Sequence, residues 1–373
     1  MTPLSSAPDQ DALRGWLALA RADQVGSVRG ARLVRHFGSA AAVFRADKLE
    51  WRAIGMGPRV IDALTTPDWA GVEADLRWLQ AGGADRSCLT LDHPDYPALL
   101  REIPDPPLLL FVCGAPAALS QFHVAMVGSR RPTPSGLKAA AEFAQALAER
   151  GAGVVSGLAV GIDAACHRGS LAGRGVTLAV MGTGPDRVYP PYHQALADEI
   201  IATGGALITE YPPGTSPVAG HFPRRNRIIS GLARGTLVVE AALRSGSLIT
   251  ARLALEQNRD VFAVPGSIYS PASQGCNHLI QQGAKLVQTP DDILEEYPDA
   301  FPEQPPADPL AQWDAPRPEQ EGLLKYIAYD PVTVDTLVVA TGLPAHHIAT
   351  ALLELELQGK LASQPGGAYL RVG

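Results

Sequence analysis

Through the middle of the chain, short apolar runs alternate with segments of helical periodicity. Strands are expected at 123–127 (HVAMV), 153–156 (GVVS), 176–181 (VTLAVM), 206–209 (ALIT), 236–240 (TLVVE), 261–265 (VFAVP) and 285–288 (KLVQ). Between them, 135–150, 164–173, 193–202 and 247–258 repeat their apolar positions at helical spacing. Apolar strands alternating with helices predict a mostly parallel sheet covered on both faces. The expected core is therefore α/β: an extended Rossmann-like, doubly wound sheet with more strands than the minimal version.

The flanks follow other patterns. Residues 10–82 suggest short helices separated by Gly turns. Two segments are alike, Val25-Gly26-Ser27-Val28 before ARLVRHFG and Ile54-Gly55-Met56-Gly57 before PRVIDAL. Each sets a Gly turn before an amphipathic helix, as in a helix-hairpin-helix or SAM-like domain, whose turn amides can hold a phosphate. Five prolines lie between Pro298 and Pro318, forbidding helix and favouring extended chain. Three helical segments and a hairpin around Pro365-Gly366-Gly367 then predict a winged helix. The expected division is a helical domain (1–90), the Rossmann-like domain (91–297), a Pro-rich linker (298–316) and a winged helix (317–373).

Composition is that of a folded chain, 46% apolar and 18% charged over 373 residues. No apolar stretch approaches the ~20 residues that span a bilayer, and the N-terminus lacks a basic segment followed by an apolar run. A cytoplasmic location without membrane association is expected. Cys88, Cys113, Cys166 and Cys276 are far apart and form no CxxC pair, so reduced, buried thiols are expected rather than disulfides or a zinc site. The net charge of −7 discourages nucleic acid as a ligand until it is divided along the chain. Residues 1–123 carry −2, 124–290 carry +5 and 291–373 carry −10. The positive potential belongs to the α/β domain.

Ligands of open α/β sheets bind at the carboxyl ends of the strands. Here those ends are Gly128-Ser129-Arg130, with Arg131 beside them, the loop Ser156 to Asp163, Gly182-Thr183-Gly184, and Glu240 through Ser245-Gly246-Ser247. Neither GxGxxG nor GxxxxGK[ST] occurs after a strand, so these glycines suit close approach of an anion to backbone amides rather than a dinucleotide or P-loop site. In His221-Phe222-Pro223-Arg224-Arg225-Asn226-Arg227, three arginines supply phosphate donors beside an aromatic face. Such a face suits single-stranded nucleic acid, since a duplex hides its bases. An enzymatic reading would use a carboxylate set (Asp163, Glu210, Glu240) or serine nucleophiles (Ser245, Ser247). No nucleophile elbow, HExxH or Cys/His cluster supports them, so neither a catalytic residue nor a metal is expected.

The runs MVGSRRPTPSG, VVSGLAVGIDAACHRGSL, MGTGPDRVYPPYHQAL, HFPRRNRIISGLARGTLVVEAALRSGS and GCNHLIQQGAKLV resemble the DNA-processing protein A (DprA/Smf) family. The resemblance implies a dimerising extended Rossmann fold, and no cofactor is expected. It also implies binding of single-stranded DNA and loading of a RecA-type recombinase onto it in natural transformation or DNA repair, with single-strand-binding protein as a further partner. Carried over by motif, the DNA-binding positions are Gly128, Ser129 and Arg130, then Ser156, Gly157, Ala159 and Gly161. Phe222, Arg225, Asn226 and Arg227 follow, then Ser245, Gly246 and Ser247; Arg131 and Arg224 add charge beside them. Val160, Cys166 and His193 depart from the residues common at those positions. The winged helix has no arginine on its third helix, where His346, His347, Glu354 and Glu356 stand, which fits protein contact better than groove readout. The enzymatic alternative is a nucleotide phosphoribohydrolase, whose PGGxGTxxE signature is absent.

Overall fold

A strand covered on both faces needs no polar alternation, and His123–Val127 is buried at all five positions in the computed structural model of the protein. The structure describes residues 10–301, 321–324, 326–327, 331–341, 345–357, 359–364 and 367–372. The chain divides into two units, Met1–Phe301 and Pro302–Gly373. The expected linker lies, from residue 302 onward, outside the described residues.

The first unit begins with helices α1 (Gln10–Arg21), α2 (Gly26–Phe37), α3 (Ala40–Val43), α4 (Lys48–Ala53), α5 (Pro58–Thr65) and α6 (Trp69–Ala81). β1 (Arg86–Thr90), α7 (Ala98–Arg101) and β2 (Leu109–Gly114) lead into the alternating region. That region runs β3 (His123–Val127), α8 (Pro134–Glu149), β4 (Gly153–Ser156), α9 (Ile162–Ala172), β5 (Thr177–Val180), α10 (Gln194–Ala202) and β6 (Ala206–Thr209). It continues with α11 (His221–Gly231), β7 (Gly235–Val238), α12 (Ser247–Glu256), β8 (Asp260–Ala263), α13 (Gln274–Gln281), β9 (Lys285–Leu286) and α14 (Asp291–Leu294). The strands expected from the apolar runs are all present, displaced at their ends by at most two residues. Among the described residues no helix is long and apolar enough to cross a membrane.

The strands form one sheet in the order β1-β2-β6-β5-β4-β3-β7-β8-β9. From β6 through β9 every pairing is parallel, whereas β1 with β2 and β2 with β6 are antiparallel. Successive strands step outward from β3 to β6 on one side and from β7 to β9 on the other. Strand order therefore reverses between β3 and β7, the switch point at which such sheets open a crevice.

Two expectations near the N-terminus change. β1 ends at Thr90, where the sequence pattern sets a domain boundary, yet β1 pairs with β2 and joins the helices to the sheet. Side chains alternate across β2: Leu109 and Phe111 pack with Trp16, Leu33 and Val72 of the helices, and Leu110 and Val112 pack with Val155 and Ile208 under the sheet. Of the two Gly turns, Ile54–Gly57 is a turn with Gly55 at φ 81°. The other is absorbed into α2, which starts at Gly26; this brings Gly30 against Leu108, whose side chain a Cβ there would strike.

The second unit contains α15 (Glu321–Leu324), β10 (Val332–Thr333), α16 (Val334–Thr341), α17 (Ala345–Leu357), β11 (Leu361–Gln364) and β12 (Ala368–Arg371). Its sheet runs β10-β12-β11, and Leu323, Leu337, Ile348 and Leu352 form its core. This is a winged helix.

Candidate nucleic-acid interface

A cavity of about 850 Å³ opens at the switch point, above the carboxyl ends of β3 and β7. It gathers Gly128, Ser129, Arg130 and Arg131 from the loop after β3, Ala159 from the loop after β4, Phe222, Arg225 and Asn226 from α11, and Ser245, Gly246 and Ser247 before and at the start of α12. Ser156, Gly157, Gly161, Arg224 and Arg227 are not among its lining residues.

The loop after β3 is held by Glu240. Ser129 N–H donates to the Glu240 main-chain carbonyl at 2.8 Å, and the buried Glu240 carboxylate accepts from Thr133 N–H at 3.1 Å and from Thr133 Oγ1 at 2.5 Å. Thr133 caps α8 by accepting from Gly136 N–H at 3.1 Å, and Pro134 occupies the first helical position. With its ends fixed, the loop presents Arg130 and Arg131 to solvent. Arg244 joins them on the cavity wall. Among the described residues, none of these three guanidiniums is hydrogen-bonded or ion-paired, which leaves complete donor forks for phosphate.

The loop after β4 supports this surface from below. Ser156 Oγ donates to Met126 O at 2.7 Å, fixing β4 to β3. Gly161 has φ 83°, and its missing Cβ leaves room for the Ser129 carbonyl. Ile162 N–H donates to that carbonyl at 3.1 Å and ties the two loops together. Next, Gly157 makes space for Arg225: a Cβ there would collide with the guanidinium and with the Asp163 carboxylate.

The arginines of α11 have separate roles. Arg225 is only 4% exposed, and its Nη1 donates to Gly157 O at 2.6 Å and to Val180 O, with Asp163 as the opposing charge. Burial pushes its pKa down to about 10, against the pull of Asp163. Asp163 is shifted upward by its own burial, which Arg225 partly offsets. Arg225 therefore locks the cavity floor, and the expectation that it is a free phosphate donor is corrected. Arg227 is turned elsewhere: Nη1 and Nη2 each donate to Glu210 at 2.7 Å, and Nε donates to Asp105 Oδ2 at 3.1 Å. Its fork is filled by carboxylates. Arg224 is half exposed, lies 3.5 Å from Glu210 and borders a different cleft beside Gly26 and Ser27. The candidate catalytic carboxylates Asp163, Glu210 and Glu240 thus face Arg225, Arg224 with Arg227, and Thr133 respectively.

Phe222 is half-buried. One part of its ring lies against Gly182, where a Cβ would come within 2.9 Å. Its other neighbours are the Arg130 and Arg225 guanidiniums, 6.0 and 5.9 Å from the ring centre, and Tyr189 at 5.5 Å and 42°. Tyr189 and Arg244 also line the cavity, although sequence reasoning did not single them out. Both sit inside motifs already noted, Tyr189 in RVYPPY and Arg244 in LRSGS. Next to Arg244, Ser245 Oγ and Ser247 Oγ are 2.6 Å apart, and α12 begins at Ser247. His167 lies outside, buried, with Nδ1 2.7 Å from Thr177 Oγ1 and its pKa lowered by burial to about 3. All four cysteines are free and buried.

Residues 87–298 match the sequence model of the DNA recombination-mediator protein A family, and residues 302–367 match that of the DprA winged helix domain. The chain belongs to the DNA recombination-mediator protein A family. It is 41% identical to Protein Smf of Escherichia coli over 96% of this chain and 95% of that one. With DNA processing protein DprA of Streptococcus pneumoniae it shares 50% identity over 54% of this chain and 71% of that one. The X-ray structure of DNA processing protein A from Streptococcus pneumoniae superimposes with a TM-score of 0.59 at 34% identity, covering 78% of this chain and 99% of that one. DNA processing protein A of Helicobacter pylori, described with a single-stranded DNA binding mode, gives 0.52 at 28% identity, over 59% of this chain and 99% of that one. In this family member the cavity lies within the matched segment 87–298.

Proposed function

We propose that this protein binds single-stranded DNA in the switch-point cavity, protects it, and loads a RecA-type recombinase onto it during natural transformation or DNA repair. The carrying observation is the placing of three arginines without ion-pair partners among the described residues, Arg130, Arg131 and Arg244, beside the exposed part of the Phe222 ring and Tyr189. Guanidiniums hold phosphates, and rings accept unstacked bases. The protein acts in this reading as a cytoplasmic homodimer and a binding protein without cofactor, with single-strand-binding protein as a further partner. Membership of a recombination-mediator family and the single-strand binding described for the Helicobacter pylori protein support it. The test is a titration of labelled single strand and duplex at several salt concentrations. Preference for duplex by the switch-point cavity, read as loss of duplex binding in Arg130→Ala with single-strand binding intact, would contradict it.

On single strands, log K should fall with log salt at about −0.7 per neutralised phosphate. Arg130→Ala, which removes an exposed and unpaired side chain, should weaken binding and flatten that slope by about one such increment. An unchanged slope in a folded mutant would place the phosphates elsewhere.

Deleting residues 317–373 should leave single-strand affinity nearly intact. That segment is acidic, and the cavity is built wholly from the first unit. A loss of about tenfold, or ~1.4 kcal/mol, in the truncated protein would contradict this.

A further inference from the structure

A second concentration of positive charge lies in residues 24–60, where seven Arg and Lys side chains stand against only Asp47 and Glu50. Both acids are occupied by the capping box that starts α4. Asp47 Oδ1 accepts from the N–H groups of Leu49 (2.7 Å) and Glu50 (2.9 Å), and Glu50 Oε2 accepts from Asp47 N–H at 2.8 Å. Among the described residues, none of Arg29, Arg32, Arg35, Arg45, Arg52 and Arg59 is ion-paired.

Three of these arginines converge. Arg29, Arg32 and Arg59 line one cleft of about 480 Å³, shared with Gln24 and with the turn residues Gly55 and Gly57. Arg29 Nη1 donates to Gln24 O and Arg32 Nη2 to Ile54 O, both at 2.7 Å, so two of the guanidiniums are positioned by backbone carbonyls while the rest of each fork stays unbonded. Arg59 is exposed and unbonded among the described residues. No carboxylate and no aromatic ring lines the cleft.

We propose that this cleft is a second nucleic-acid site, distinct from the switch-point cavity, and that it takes the phosphates of duplex DNA. The residue types decide between strand forms. The cavity sets guanidiniums beside Phe222 and Tyr189, which serves unstacked bases; the cleft has the guanidiniums without a ring. A site that recognises phosphates alone favours the form with the denser charge, and a duplex carries one charge per ~1.7 Å of its axis. The proposal goes beyond the single-strand reading and stands or falls separately from it.

The test uses the full-length protein with a labelled blunt duplex and, separately, labelled oligothymidine, each titrated at several salt concentrations. Arg59→Glu alters a side chain with no structural partner, so folding should be unaffected. It should lower duplex affinity by about tenfold or more and reduce the salt slope by about 0.9 per phosphate lost, while oligothymidine affinity changes by less than about twofold. Arg59→Lys should retain most duplex binding. Arg45→Glu, an exposed reversal in the same helical region but outside the cleft, should behave as the unmutated protein. Unchanged duplex affinity in Arg59→Glu, or an unmutated protein that does not bind duplex, would overturn the proposal. So would an equal loss on oligothymidine, or an equal loss in Arg45→Glu.

Discussion

Arg225→Ala should lower the stability of the first unit by about 3–5 kcal/mol, the cost of leaving a buried charge without its partner. Asp163 and Arg225 are both almost fully buried, and Arg225 also holds the carbonyls of Gly157 and Val180. Alanine removes the counter-charge and both carbonyl partners at once, and it leaves a void beside Gly157 that water or a collapsed loop must fill. Urea denaturation followed by circular dichroism measures the loss. A change below about 1 kcal/mol would show that the pair contributes little to the cavity floor. Single-strand binding should fall in the same mutant, but through the loop after β4 rather than through a lost phosphate contact. The salt slope of the folded fraction should therefore stay close to that of the unmutated protein, unlike that of Arg130→Ala.

Phe222→Ala should cost ~1–3 kcal/mol of single-strand affinity, the usual worth of one stacked base, while Phe222→Trp should retain binding. The ring is half-buried, with Gly182 against part of it and Arg130 and Tyr189 at its exposed side. A ring so placed can support a base without being a full member of the core. Its removal should therefore cost less stability than the ~3–5 kcal/mol of a fully buried phenylalanine. Fluorescence titration and thermal melting, run on the same preparations, separate the two roles. If stability falls by that larger amount and the folded fraction binds normally, stacking on Phe222 is wrong and the cavity is a phosphate clamp alone.

Much of the fold was legible because parallel strands leave a strong trace. His123–Val127 and Ala206–Thr209 are short apolar runs bounded by polar or Gly-containing segments, and covering both faces of a strand demands that pattern. The gathering of the Gly-rich strand ends followed from topology, since parallel strands bring their carboxyl ends to one edge. What the chain did not disclose was pairing. Arg225 and Arg227 look equally available in FPRRNR, but Asp163, the charge facing Arg225, and Asp105 and Glu210, the partners of Arg227, all lie outside that motif. Charge is written locally and neutralisation is not. β1 was missed for a related reason: RSCLT has only weak apolar character, and it becomes a strand by pairing with β2.

The alternation across β2 bears on how the first unit comes apart. Because Leu109 and Phe111 complete the core of the helices while Leu110 and Val112 complete that of the sheet, one strand is shared by both hydrophobic interiors. The helices cannot lift away as a separate foldon without uncovering Phe111, and β2 cannot fray without opening both cores. Residues 10–301 are thus built to unfold cooperatively, and partial opening that would release the arginine-lined cleft from the cavity is disfavoured. Any DNA held at one of these places is carried on the same cooperative body as the other.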